Sequence, residues 1–249
     1  MGGREERTDP RTDPAATLAW AKDGAEHLRG LMGRLGGDTF AMPSGLPGWT
    51  RAHVLTHVAR NADALINLLD WARTGVRTPA YSGEGQRNAD IEAGARRSAA
   101  EIRADVVASS DRLADAVRAM PAEAWRATVE IRGHRIPVTD VLWLRAVETW
   151  VHAIDLDAGA SFTDLPQPML RALVGELASV MGERPDVPAM VLVATGEPAG
   201  RWTVGEPGAD APEFSGSAAE LAAWLSGRAP GRHLRRPPGV RLPHLGRWR

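Results

Sequence analysis

The chain has 249 residues, of which 43% are hydrophobic and 24% charged, and its formal net charge is −1. This composition is typical of a globular protein with one large or two small domains, and it disfavours nucleic acid as a partner. The absence of cysteine excludes disulfides, a cysteine nucleophile and thiolate metal sites, so a metal would have to be held by His, Asp or Glu. Lys22 is the single lysine, which disfavours Schiff-base and P-loop chemistry.

No stretch of the sequence approaches the roughly 18 consecutive apolar residues of a membrane-spanning helix. Residues 1–13 form a polar extension, where a signal peptide would have its apolar core. We therefore expect a cytoplasmic protein without membrane contact.

Residues 14–160 predict a four-helix bundle. Apolar residues at helical spacing indicate helices at about residues 14–35, 50–75, 89–120 and 138–158, with a small hairpin around Gly133 between the last two. Asp13, followed by Pro14, can cap the first helix, and Thr50 can cap the second. Ligand sites of such bundles usually lie in the core between facing helices.

The composition changes from Phe162 onward, and residues 161–228 predict a smaller α+β domain. It would contain a helix at 166–181, strands at 189–194 and 201–204, and a short helix at 217–225. Residues 229–249 carry six arginines and no acidic residue, and we interpret them as a solvated Arg/Pro-rich tail, with a strap across the surface as the alternative. The fold class predicted for the whole chain is α+β.

The fourth predicted helix carries the most informative pattern of polar residues. Glu148 and His152 are four residues apart and share one helix face, and Asp155 extends their line. Glu148 falls within the stripe of apolar residues that marks the core side of this helix. A buried carboxylate and imidazole need a partner charge, a hydrogen-bond network or a metal, because each is otherwise strongly disfavoured.

The second predicted helix offers two histidines that could complete a metal site. His57 lies among Val54, Val58 and Asn61 on the apparent core side, whereas His53 is nearer the helix start and could face solvent or the rim of a site. One histidine from this helix, with Glu148 and His152, would make the His₂Glu ligand set of a catalytic zinc. On spacing alone, a buried hydrogen-bonded Glu–His pair remains the favoured interpretation.

Three segments nevertheless resemble the mycothiol-dependent maleylpyruvate isomerase family. They are residues 48–61 (GWTRAHVLTHVARN), 81–92 (YSGEGQRNADIE) and 142–156 (LWLRAVETWVHAIDL). The resemblance covers most of the chain and implies a DinB-like metal-binding bundle followed by a smaller C-terminal α+β domain that ends in residues 215–228 (SGSAAELAAWLSGR). It also implies zinc as the metal, with His57, Glu148 and His152 as its ligands, and a site arginine that matches Arg228.

The reaction that the resemblance implies is the cis–trans isomerisation of maleylpyruvate to fumarylpyruvate with the small thiol mycothiol as cofactor. A thiolate that adds to the olefin makes the double bond temporarily single, so that it can rotate before the thiol leaves. The anionic small-molecule substrate requires cationic donors, for which Arg228 and Arg87 are the candidates. Asn61 is either a cofactor contact or a hydrogen-bonding residue of the core, and the core role is preferred.

Two other functions remain open at this point. A mycothiol S-transferase acting on another electrophile would have the same ligand set and differ only in its substrate pocket. A non-catalytic binding module that keeps the metal for stability would be expected to have a fourth protein ligand, because structural zinc sites are usually closed. The discriminating feature is whether His53 or Asp155 also coordinates the metal.

Overall fold

The chain divides after Ala160 into two units, of which the first is helical and the second mixed. The structure is a computed structural model that describes residues 10–246 and 248. Most of the polar extension predicted for residues 1–13 lies outside the described residues, and Pro10–Thr12 form a 3-10 turn. Among the described residues, no helix is long and apolar enough to cross a membrane.

Five helices build the first unit. They are α1 (Pro14–Arg34), α2 (Arg51–Thr74), α3 (Glu84–Ala95), α4 (Ala99–Arg118) and α5 (Asp140–Asp155). The four long ones form a bundle in which α1 packs on α5 and α2 packs on both α4 and α5, while the short α3 lies against α2. The predicted caps are confirmed, since the Asp13 side chain accepts from the Ala15 amide and Thr50 accepts from the His53 amide.

The single helix predicted over residues 89–120 is wrong, because the structure has α3 and α4 in its place. The break falls at Ser98, whose side chain accepts from the Glu101 amide while the Glu101 carboxylate accepts from the Ser98 amide. This reciprocal capping starts a new helix more favourably than it continues the old one. The Ser-x-x-Glu pattern at residues 98–101 was the sequence signal that would have shown it.

The small hairpin between α4 and α5 is confirmed. Strands β1 (Thr128–Ile131) and β2 (His134–Pro137) pair antiparallel. The turn residues Arg132 and Gly133 both have positive φ, at 50° and 80°. Two such residues give the tight turn whose twist matches that of the flanking strands.

The core of the bundle includes two apolar clusters among the described residues. One includes Leu28, Leu55, Val58, Ile102 and Leu156, and the other includes Leu65, Leu68, Leu113 and Val141. Polar side chains from α2, α4 and α5 make contacts with one another in the same bundle, and we call them the polar layer: His57, Asn61, Ser110, Arg145, Glu148 and His152. The candidate site belongs to this layer.

In the second unit, two helices accompany a three-stranded sheet. The elements are α6 (Gln167–Gly182), β3 (Met190–Ala194), β4 (Gly200–Val204), β5 (Glu213–Gly216) and α7 (Ala218–Leu225). The central β3 pairs antiparallel with β4 and parallel with β5. Sequence patterns missed β5, because Phe214 is the only large apolar residue in that four-residue strand.

The preference for a solvated tail after Arg228 was wrong for the residues that the structure describes. Leu234 and Leu245 are each only 3% exposed. The backbones of Arg235 and Ser215 exchange two hydrogen bonds of 2.7 and 2.9 Å, so the segment extends the β5 edge of the sheet. The buried leucines hold this Arg-rich segment as a strap, although Arg232, Arg235, Arg236 and Arg241 are exposed.

Candidate metal centre

Three side chains from two helices converge in the polar layer. Helix α2 supplies His57, and α5 supplies Glu148 and His152. The Nε2 atoms of His57 and His152 lie 3.0 and 3.1 Å from the same carboxylate oxygen, Oε2 of Glu148. The two imidazole rings are nearly perpendicular, with centroids 4.6 Å apart. All three side chains are largely buried, with 6% to 14% of their surface exposed.

The neighbour of His57 determines which of its nitrogens carries the proton. Nη2 of Arg87 lies 3.3 Å from Nδ1 of His57. A guanidinium can only donate, so Nδ1 accepts and Nε2 donates its proton to Glu148. Burial is the largest influence on the pKa of His57 and lowers it, so this ring stays neutral near neutral pH.

His152 is held between two carboxylates. Its Nδ1 lies 3.0 Å from Oδ2 of Asp155, and its Nε2 faces Glu148. Burial opposes a charge on this ring, but the hydrogen bonds to Asp155 and Glu148 outweigh burial and raise its pKa to about 9. Without a metal, both nitrogens of His152 therefore carry protons at neutral pH.

Glu148 is the acceptor shared by both histidines. Burial raises its pKa, but the hydrogen bonds from His152 and His57 outweigh that effect and hold the pKa well below its usual value. An ionised carboxylate and two imidazole nitrogens thus lie within 4.8 Å of one another. Among residues 10–246 and 248, this is the one group of three such side chains that could hold a metal ion.

The described residues supply no fourth ligand to this group. His53 takes part in the cap of α2, where its Nδ1 accepts from the Thr50 amide, and its Nε2 lies 3.4 Å from Glu92 on α3. Asp155 is 1% exposed and contacts the Nδ1 of His152, the nitrogen on the far side of the ring from Glu148. A metal bound here would keep a position open for another ligand, as catalytic zinc sites do.

Arg87 and Tyr81 line the side of the site next to His57. The guanidinium of Arg87 lies 5.8 Å from the centre of the Tyr81 ring. Its Nε is buried without a hydrogen-bond partner among the described residues. Burial, and then the charge of Glu148, raise the pKa of Tyr81, so its hydroxyl stays protonated. Our sequence interpretation assigned no role to Tyr81, which lies in the loop before α3 where apolar residues show no periodic pattern.

Asn61 is buried and takes part in a hydrogen bond of the core, while a contact with the cofactor stays a prediction. Its Oδ1 accepts a 2.9 Å hydrogen bond from Nη1 of Arg145, a residue that our sequence interpretation missed. Arg145 lies on α5 three residues before Glu148 and is 4% exposed. Its position, one helical turn from Glu148, was the available signal.

Arg228 lies just after α7 in the second unit. Its Nη1 donates to the carbonyl of Ser226 at 3.0 Å, and its side chain is half-buried. Its role at the active site stays a prediction from the family resemblance.

Comparison with known proteins identifies the family. Residues 21–157 match the family described as Mycothiol maleylpyruvate isomerase N-terminal domain. Two solved structures, a mycothiol-dependent maleylpyruvate isomerase and its H52A variant, have TM-scores of 0.87 and 0.88. Each is 32% identical to this chain, covering 95% of this chain and 97% of the other. No curated protein sequence gives a significant match. The chain belongs to the mycothiol maleylpyruvate isomerase family.

Proposed function

We propose that this protein is a zinc- and mycothiol-dependent cis–trans isomerase that converts maleylpyruvate, or a similar cis-enoyl dicarbonyl acid, to its trans isomer. The observation that carries the proposal is the convergence of His57, Glu148 and His152 within 4.8 Å. It occurs in a chain that aligns over 95% of its length with a solved mycothiol-dependent maleylpyruvate isomerase.

The donor atoms fit zinc better than a hard cation. Two imidazole nitrogens and one carboxylate oxygen suit zinc, whereas magnesium and calcium prefer oxygen ligands throughout. Asp155, as acceptor for Nδ1 of His152, would fix the ring with Nε2 directed at the metal. When bound, zinc would supply a Lewis acid that lowers the pKa of a thiol at its open position.

The chain contains no cysteine, so the sulfur needed for isomerisation must come from outside. When bound, mycothiol would supply a nucleophile whose reversible addition makes the substrate's double bond single and free to rotate. The protein's own contribution is to bind the substrate's carboxylates and to stabilise the negative charge that develops on its carbonyl oxygen.

Arg87, in the first unit, suits that role. Its Nε is a buried donor without a partner among the described residues, and a planar guanidinium can bind a carboxylate through two hydrogen bonds. A metal on Nε2 of His57 would leave the ring proton on Nδ1, which then could no longer accept from Arg87. Metal binding would therefore release Nη2 of Arg87 for the substrate.

Arg228 is proposed to donate hydrogen bonds to the second carboxylate of the substrate. Its support is the match of residues 215–228 to the end of the family's C-terminal domain. Arg228→Lys would keep the charge and lose the bidentate geometry. We expect this variant to raise KM for the dianionic substrate while the metal content stays that of the wild type.

The first experiment measures the metal content of the purified protein by elemental mass spectrometry, together with maleylpyruvate isomerisation with and without mycothiol. About one zinc per chain with thiol-dependent turnover would support the proposal. Zinc with consumption of the thiol by a haloarene, and no isomerisation, would indicate a mycothiol S-transferase instead. Absence of zinc after purification without chelators would reduce the site to a hydrogen-bonded Glu–His cluster.

A further inference from the structure

Arg145 is a buried cation that the proposed reaction does not use. It projects from α5 into the polar layer and is 4% exposed. Its Nη1 donates to the Val58 carbonyl and to Oδ1 of Asn61, both at 2.9 Å, and its Nη2 donates to Oγ of Ser110 at 3.2 Å. One side chain of α5 therefore contacts both α2 and α4.

Stability alone does not account for this arginine. All three of its acceptors are neutral, and burial lowers its pKa to about 10 in spite of the opposing charge of Glu148. A buried cation without a hydrogen-bonded carboxylate carries a desolvation penalty that an apolar side chain of similar volume avoids. The guanidinium at this position must therefore serve a purpose other than stability.

The position of its acceptors indicates what that property is. Val58 directly follows His57 in α2, and Asn61 lies one helical turn after it. On α5, Arg145 itself lies about one turn before Glu148. The hydrogen bonds thus join the two ligand-bearing helices beside the ligands, where packing of apolar side chains alone specifies the helix register less sharply.

We infer that Arg145 is a positioning residue that holds α2 in register with α5, so that His57 faces Glu148 and His152. The inference rests on the proposed function, because it concerns the same metal site. Arg145 forms a hydrogen bond with none of the three ligands and acts through the backbone beside His57.

The test compares metal affinity with stability in the full-length protein. Zinc dissociation constants come from competition with a chromophoric chelator, and stability comes from denaturant unfolding of the metal-free protein. Arg145→Met should weaken zinc binding about 10- to 100-fold, the range found when residues supporting metal ligands are replaced. The unfolding midpoint of the metal-free protein should stay close to that of the wild type, because methionine avoids the desolvation penalty of a buried guanidinium.

Two acceptors of the same guanidinium provide an internal comparison. Asn61→Ala removes a contact to α2, which carries His57, whereas Ser110→Ala removes the contact to α4, which carries no ligand. We expect weaker zinc binding in Asn61→Ala and wild-type binding in Ser110→Ala. If Arg145→Met fails to fold, the difference in zinc affinity between Asn61→Ala and Ser110→Ala still tests the inference.

Arg103 is a matched control elsewhere in the bundle. It is a half-buried arginine of α4 that donates to the carbonyls of Met32 and Leu35. Arg103→Met should lower stability and leave zinc affinity unchanged. Wild-type zinc affinity in both Arg145→Met and Asn61→Ala, or an equal loss in Arg103→Met, would overturn the inference. A wild-type protein that binds no zinc would instead overturn the proposed function, and this inference with it.

Discussion

The two units of the chain bury very different side chains. Among the described residues, the second unit has a single buried polar side chain, Ser226, within a core of leucine, methionine, valine and phenylalanine. The first unit buries Thr17, Thr56, His57, Asn61, Ser109, Arg145, Thr149 and Asp155. The first unit thus holds polar and charged groups in its interior, where a group without a partner lowers the stability of the fold.

The difference shows that the first unit keeps buried polar groups that lower its stability and supply the candidate site. Burial of Arg145, Asp155 and the three candidate ligands costs desolvation energy, which their hydrogen-bond and charge partners offset only in part. The apolar side chains in the core of the second unit need no such partners. Substitutions in the first unit should therefore change chemistry more than stability, and those in the second unit should do the reverse.

The largest effect is expected from the candidate ligands. His57→Ala, Glu148→Ala or His152→Ala should each abolish zinc binding and isomerase activity, because the site then offers only two protein ligands. Metal analysis and the isomerisation assay test this. His53→Ala, one turn away on α2, is the matched control and should retain zinc. Retention of wild-type zinc in all three ligand variants would refute the site.

A large effect of the opposite kind is expected in the second unit. Leu177 on α6 is fully buried, and Leu177→Ala should lower the free energy of unfolding by about 2–5 kcal/mol through lost contacts and a cavity. Denaturant unfolding measures this loss. The folded variant should bind zinc with wild-type affinity. A matching loss of zinc affinity would show that the two units are not separable in this way.

A smaller effect is expected from the acceptor behind His152. Asp155→Asn keeps the volume but removes the charge that accepts from Nδ1 of His152. We expect zinc affinity to fall about 10- to 100-fold, because such partners orient metal ligands and raise their basicity. Chelator competition measures the change. Unaltered affinity would mean that packing alone orients the ring.

The last prediction is a pH dependence that has opposite signs for zinc affinity and for the stability of the metal-free protein. The pKa of His152 is raised from 6.5 to about 9, so its contribution to stability is complete below pH 6.5 and is lost as the pH rises towards 9. Burial lowers the pKa of His57, so this residue changes the stability of the metal-free protein only below pH 6.5.

Over the same pH range, zinc must displace a proton from Nε2 of His152, so the apparent zinc affinity should rise up to tenfold per pH unit. Unfolding of the metal-free protein and chelator competition at pH 6.5, 7.5 and 8.5 measure the two trends. Metal-free stability that stays constant across this range would contradict the ion pairs assigned to His152.

Local patterns were sufficient for most elements of the fold. The caps at Asp13 and Thr50, and the turn at Gly133, depend on interactions within a few residues, so they were readable from the chain. The break at Ser98 was equally local and was missed because apolar periodicity continued across it. Strand β5 and the strap could not be read locally, because each is stabilised by partners distant in sequence.

Residue spacing and composition alone identify the side chains that could form a metal site. Helical spacing places Glu148 and His152 on one face, and the absence of cysteine restricts the ligands to His, Asp and Glu. Which histidine of α2 joins them depends on the folded arrangement, in which His57 faces Glu148 while His53 caps its helix. The hydrogen bond from Arg145 to Asn61 and the place of His152 between two carboxylates likewise depend on contacts within the folded chain. The physical reason is that spacing fixes directions within one helix, whereas proton positions and pKa values depend on groups brought together from different helices.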